Sequence, residues 1–340
     1  MTRLHWWSVQ CAASRLFRSP EVLYGMANHG STPSERATCT PFGQQYVRFP
    51  PRWHNVLLPT GPPSATAVAM SLYTASKPVT FAAQYCLWVS AKVMGGRALP
   101  GARETWPSSI PRPVVAAMWP AWIEAVGREP DGIAIYERLQ VARQNLTLLV
   151  CAGAESMLVR IRRESESFER ERMISAAAQS RGARGFRVPR LIASGETDGW
   201  QWVGYEAISP RPHAPRYRLD DAALAEISAL VEATVPRPAG VPGHWRGAHR
   251  DLAPWNLRRG RSTTWLIDWE DAGIAPPHAD AVYQRAVAIA LRPGPVRPMR
   301  LRGEEEEAGE YWARIVTERE ASPSEQRLRQ RLLRLLDAAS

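Results

Sequence analysis

Two short stretches toward the C-terminal end hold residues that could do chemistry together. The first is His249-Arg250-Asp251-Leu252-Ala253-Pro254-Trp255-Asn256, and the second is Trp265-Leu266-Ile267-Asp268-Trp269-Glu270. Phosphoryl transfer needs a carboxylate that orients the attacking hydroxyl and accepts its proton. It also needs oxygen ligands that hold Mg²⁺ against the nucleotide phosphates. The H-x-D-x-x-x-x-N pattern supplies one carboxylate and one amide oxygen on a single loop. Between Asn256 and Asp268 the sequence offers a strand from Leu257, a turn at Arg259-Gly260-Arg261 and a returning strand through Leu266-Ile267. A hairpin of that length brings Asp268 back beside Asn256, so two metal ligands and one base converge. An isolated Asp in a loop is most often a cap or a solvated charge. Here three such groups stand in order, with an apolar strand leading into the last of them.

The elements that must position these residues begin after Tyr136. Leu146–Val150 and Met157–Arg162 read as a hairpin around the turn Ala152–Glu155, and Ser167–Ala178 as a charged, then apolar helix. Val188–Ile192 and Trp200–Glu206 add two strands around a turn at Gly195–Gly199. Pro210, Pro212 and Pro215 mark a connection, after which Asp220 or Asp221 can cap a helix. Residues 279–292 and 308–338 read as further helices. The order predicts an α+β chain of two lobes, a small mixed β/α N-lobe and a mainly helical C-lobe, with an N-terminal extension. The boundaries fall at 1–50 for a poorly ordered extension, 51–135 for an accessory segment without a chemical motif, 136–208 for the N-lobe and 209–340 for the C-lobe. Within the accessory segment, residues 64–98 read as mostly helical, and Trp119–Val126 as the start of a helix with Pro120 near its first turn.

The stretch from His249 to Asp280 resembles the catalytic and metal loops of the aminoglycoside phosphotransferase/choline kinase-like family, within the protein-kinase-like superfamily. The Ile267-Asp268-Trp269-Glu270 run fits that group better than protein kinases, which place Phe-Gly after the aspartate. The resemblance spans about residues 140–290 and does not reach residues 1–135. It implies that the two-lobed fold is protein-kinase-like, that Asp251 is the catalytic base, that Asn256 and Asp268 are Mg²⁺ ligands, and that His249 and Asp280 support the loop. It places Arg160 where the family has a strand lysine for the α and β phosphates, with Glu171 as its helix partner and Glu169 as the alternative. Arginine binds phosphate as a fork, so this exchange is not neutral. Glu206 matches the hinge that receives adenine. The family's Gly-rich phosphate loop has no counterpart, since Gly153 alone sits at a hairpin turn. Arg250 stands where the group usually has glycine, which leaves a phosphate contact or an ion pair as its role.

Composition narrows the alternatives. The chain has 340 residues, 45% of them hydrophobic, enough for two lobes. The formal net charge is +10. The charge is carried almost wholly by arginines scattered along the chain, Lys77 and Lys92 being the only lysines, which argues against a nucleic-acid arm. Cys11, Cys39, Cys86 and Cys151 show no C-x-x-C spacing, which points to a reducing compartment without structural zinc. The best apolar run, Val114–Val126, contains Pro120 and Glu124 and cannot span a bilayer. A cytoplasmic protein with no membrane partner follows. Glu304–Glu307 reads as a solvated helix surface, and Trp245 and Trp255 as packing beside the catalytic loop. The expected activity is transfer of the γ-phosphoryl group of ATP or GTP to a hydroxyl of a small molecule, with Mg²⁺. The alternative is a nucleotide-binding pseudokinase acting as a regulatory or scaffold module.

Overall fold

Strand-forming runs from both sides of residue 136 join one antiparallel sheet. The computed structural model describes residues 41–336, apart from 50–55, 74, 108–110, 138–145, 164–167, 209, 261–262, 320 and 322–324. Most of the extension read over residues 1–50 lies outside the described residues. The strands are β1 (Tyr46–Phe49), β2 (Val56–Pro59), β3 (Arg103–Glu104), β4 (Gly132–Tyr136), β5 (Leu146–Cys151), β6 (Met157–Arg163), β7 (Leu191–Thr197) and β8 (Trp200–Glu206). Their order is β3-β1-β2-β4-β5-β6-β8-β7. This corrects the boundary read at 135/136, because β4 straddles it and pairs with β5 from Gly132↔Cys151 to Tyr136↔Thr147. It also corrects the reading of residues 46–49 as part of a poorly ordered extension, because they form the strand next to β2. Strand propensity depends on packing context, so short runs did not announce these pairings.

Each face of the sheet carries its own core. Leu57, Ile133, Ile135, Leu148, Val150, Val159, Ile161 and Trp202 pack against helix α3 (Arg112–Val126). This helix begins seven residues before the expected start, and Pro120 lies in its interior rather than near its first turn. An interior proline removes one helical hydrogen bond, at a cost of about 3 kcal/mol. Burial of Val115, Met118, Trp119, Trp122 and Val126 outweighs that cost, since each large side chain contributes roughly 1.5–3 kcal/mol. Trp122 is fully buried and meets Trp202 edge-on at 6.1 Å between centroids.

On the opposite face Ala134, Leu149 and Cys151 are buried against helices α1 (Pro63–Ala69) and α2 (Pro78–Met94). Arg160 faces the same way, because it stands opposite Thr147 and Val203 in a ladder whose side chains alternate. Helix α4 (Glu169–Arg181) lies over this end of the face, with Phe168 packed on Val203 and Tyr205. Strand β7 starts at Leu191, three residues past the expected Val188, because Pro189 has no N–H to donate to a ladder. Its turn is Asp198-Gly199, both at positive φ.

The second lobe starts at β9 (Ala214–Pro215) and α5 (Asp221–Thr234), whose N-terminus is capped by Asp220 Oδ1 accepting from Ala223 N at 2.8 Å. Strands β11 (Leu257–Arg259) and β12 (Thr264–Leu266) form the hairpin read from the sequence, with β9 on the outer side of β11. Strands β10 (Arg246–Ala248) and β13 (Gly273–Ala275) pair across the base of the catalytic loop. Helices α6 (Ala279–Ala290), α7 (Glu304–Glu318) and α8 (Gln326–Leu336) share a core that includes Val282, Tyr283, Trp312, Leu332 and Leu335. The single helix expected over 308–338 is therefore two. The fold is mixed α/β, with an eight-stranded antiparallel sheet followed by a mainly helical part. Among the described residues, no helix is long and apolar enough to cross a membrane.

Candidate active site

The loop that follows β10 is built by hydrogen bonds to its own neighbours. Asp280, in the first turn of α6, accepts from His249 N at 2.7 Å and from Arg250 N at 3.0 Å. Arg250 adopts φ 62°, a conformation that glycine takes more readily, which explains why this position tolerates glycine. Its guanidinium lies 5.9 Å from the Tyr311 ring centroid, a cation–π contact, and its charge favours the Asp280 carboxylate. His249 is fully buried. Its Nε2 meets Ile267 O at 3.1 Å and its Nδ1 accepts from Asp251 N at 3.3 Å. That pattern requires the neutral imidazole with its proton on Nε2, and burial pushes the His249 pKa down in agreement. The imidazole thus ties the 249–256 loop to the residue after β12. Asp280→Ala would leave two buried N–H groups without acceptors. It should lower unfolding stability by about 2–4 kcal/mol, read as a lower denaturant midpoint.

Asp251 and Asn256 face one another across the loop. Asn256 Nδ2 donates to Asp251 Oδ2 at 2.8 Å and to Asp251 O at 2.9 Å. The amide oxygen of Asn256 is thereby turned away from Asp251. Burial pushes the Asp251 carboxyl up to about 7, against the Arg319 charge and the Asn256 hydrogen bond, which favour the carboxylate. The Tyr283 hydroxyl is a further hydrogen-bonding neighbour of Asp251. The β11–β12 hairpin returns as its length demands, since Ile267 N donates to Asn256 O at 3.1 Å. Asp268 follows directly, in a left-handed conformation with φ 67°.

Asp268 is joined there by Arg160 and Glu171, which the sequence singled out, and by Arg162 and Glu270, to which it gave no role. Arg160 Nη1 lies 2.5 Å from Glu171 Oε1 and 3.1 Å from Asp268 Oδ1, while Nη2 lies 2.8 Å from Glu270 Oε2. Arg162 is buried beside it and pairs with both Glu171 and Glu270. Burial opposes the Arg160 charge, but Glu171, Asp268 and Glu270 outweigh it and raise its pKa. Glu171, Asp268 and Glu270 each offer a carboxylate oxygen within 4.8 Å of the others. The structure thus brings Arg160, Glu171 and Asp268 together, with Arg162 and Glu270 as additional members. Glu206 stands apart. Its carboxylate accepts from Arg190 N at 3.0 Å and ties the end of β8 to the residues before β7.

Two other features read from the sequence have structural partners. Glu304–Glu307 occupy the first turn of α7, where negative charge complements the helix dipole. Glu305 pairs with Arg285 at 2.9 Å, and Glu307 accepts from Trp245 Nε1 at 2.7 Å. Trp245 and Trp255 both pack against the α6–α8 core.

The space on the Arg160 side of the sheet is shared with α1 and α2. Ala207, just past the hinge position, packs into the cluster that holds Ala69 and Met70. Trp88 Nε1 donates to Pro210 O at 3.3 Å, and the Tyr217 hydroxyl donates to Ser76 O. These bonds fix α1–α2 to the connection between the lobes.

The loop after β10 thus carries a half-buried carboxylate in an H-x-D-x-x-x-x-N pattern, and the β11–β12 hairpin returns Asp268 beside Asn256. Residues 209–316 match the family described as the phosphotransferase enzyme family (APH), and this segment contains Asp251, Asn256, Asp268 and Asp280. No curated protein matches the chain. Among solved structures, a thermostable mutant of aminoglycoside phosphotransferase APH(4)-Ia is similar at 12% identity, over 63% of this chain and 88% of that one, with a TM-score of 0.37. An amicoumacin kinase in complex with AMP-PNP, Ca²⁺ and Ami is similar at 12% identity, over 57% and 76%, with a TM-score of 0.33. The microcompartment-associated aminopropanol kinase is similar at 15% identity, over 61% and 83%, with a TM-score of 0.32.

Proposed function

We propose that the chain is a small-molecule kinase of the cytoplasm, transferring the γ-phosphoryl group of ATP or GTP to a hydroxyl acceptor. The observation that carries this reading is the half-buried Asp251 carboxylate, held by Asn256 Nδ2 at 2.8 Å on the loop that Asp280 anchors. Asp251 would orient the acceptor hydroxyl and take its proton. Glu206 and the residues after it form the hinge that would receive the base of the nucleotide. Arg160, steadied by Glu171, would meet its phosphates.

The oxygen donors suit a hard cation. The Asn256 amide oxygen is turned away from Asp251, and Asp268 carries its carboxylate beside that of Glu270. Asn256 and Asp268 would hold Mg²⁺, with Glu270 as a third oxygen donor. When bound, the ion would neutralise phosphate charge. Mg²⁺ with ATP should therefore raise the melting temperature above that with ATP alone, through binding to the native state. Asp268→Ala should abolish the difference. Equal melting temperatures with and without Mg²⁺ in the unaltered chain would refute the metal assignment.

One pair of observations favours a second reading, a nucleotide-binding pseudokinase with a regulatory or scaffold role. Arg160 bonds directly to Asp268, and α1–α2 cover Leu149 and Cys151 on the same sheet face. A screen of hydroxyl compounds for ADP production separates the two. Turnover above background supports the kinase, and binding without turnover supports the pseudokinase.

A further inference from the structure

Arg258 stands two positions after Asn256, so both side chains leave the β11 segment on the same side. Its guanidinium is 1% exposed. None of its Nε, Nη1 and Nη2 has a hydrogen-bond partner among the described residues. Guanidinium presents five N–H donors and stays charged, and such a group is almost never fully buried unless paired. Neither Asp nor Glu is among the groups whose charges act on it; those are Tyr136 and Tyr73. Glu137, the residue after Tyr136, pairs with Arg48 at 2.6 Å, and residues 138–145 contain no Asp or Glu.

A second orphan lies beside it. His213 is 8% exposed, and its Nε2 has no partner among the described residues. Ala214, the next residue, pairs with Arg259 and Pro215 with Arg258, so the β9–β11 ladder brings His213 to the strand that carries Arg258. Burial, then the charges of Arg258 and Arg211, push its pKa down to about 4. Three basic side chains therefore converge between β11 and the connection after β8. Two of them are buried, and they hold four unused nitrogen atoms. An uncompensated buried cation destabilises a fold strongly, and a buried anion with matching geometry offsets it.

We propose that Arg258, His213 and Arg211 form an anion site that takes a phosphate or carboxylate group of a small-molecule ligand. The guanidinium fork suits either group as a bidentate partner, and the His213 imidazole adds a donor. Tyr73 closes the site from the α1–α2 side, and the Tyr217 bond to Ser76 holds that segment in place. This inference goes beyond phosphoryl transfer and is read from binding alone, so it stands or falls separately from the kinase reading.

The full chain is melted at constant ionic strength in chloride, and then with millimolar inorganic phosphate, citrate or ATP. We expect phosphate and citrate to raise the melting temperature by roughly 3–6 °C. Arg258→Met should lose that shift and, in chloride alone, melt at or above the unaltered chain, because it removes an unpaired buried charge. Arg259→Met, at an exposed neighbouring position on the other side of β11, should keep the full shift. A shift with ATP alone that Arg258→Met abolishes puts a nucleotide phosphate on the site. A shift with phosphate and citrate as well assigns an anion independent of the nucleotide. An unaltered chain indifferent to all three probes overturns the proposal, as does an Arg258→Met variant that keeps the full shift. If Arg258→Met does not fold, His213→Phe carries the same test. A weakened shift supports the site and an undiminished one overturns it.

Discussion

Asp251→Asn should reduce phosphoryl transfer by roughly a hundredfold or more, the usual size of a lost general base. Mg²⁺–nucleotide binding should be almost unaffected, because Asp251 holds no metal in this arrangement. The side chain is half-buried and sits against Asn256 Nδ2 at 2.8 Å. The amide is nearly the same shape, and its oxygen can still accept that bond. Loss of fold is then not the cause of any loss of rate, and superimposable melting curves would establish this. The measurement is ADP production with the best acceptor found in a hydroxyl panel. Retained turnover in Asp251→Asn would show that the loop after β10 is not the catalytic one.

The second large effect concerns stability. Arg160→Met should cost about 3–5 kcal/mol, the range for removing one partner from a buried ion pair. Arg160 bonds to three carboxylates, Glu171, Asp268 and Glu270, and it is only 7% exposed. Without it, Arg162 is the remaining guanidinium of the group facing Glu171 and Glu270. Equilibrium unfolding in urea gives the value directly. Arg160→Lys should recover only part of the loss, because one ammonium cannot reproduce a fork spread over three carboxylates. A change below about 1 kcal/mol for Arg160→Met would show that the charges are solvated. The same network sharpens the phosphate question. Arg160 and Arg162 both contact Glu171, so a nucleotide effect confined to Arg160 would come from position along β6 and not from pairing.

What the sequence determined by itself is the local chemistry. The H-x-D-x-x-x-x-N loop, the 257–267 hairpin and the Asp220 cap depend on residues close in the chain, where turn residues and alternation fix the geometry. The helix after β6 and its Glu171 were legible for the same reason. The tertiary structure decided everything that rests on distant pairing. β1 and β2 joined the β4–β8 sheet across a boundary drawn where the texture changed, since strand partners are chosen by packing and not by local propensity. Trp119 and Trp122 carried Pro120 into a helix interior that its own preference opposes. Glu270, Tyr283 and Arg162 joined the site only because folding brought them to Asp268, Asp251 and Glu171. Arg258 reads in the sequence as one arginine among many scattered along the chain. It becomes a buried, unpartnered cation only once β9, β11 and the Tyr73 segment close around it, because burial and hydrogen-bond satisfaction are properties of the assembled fold.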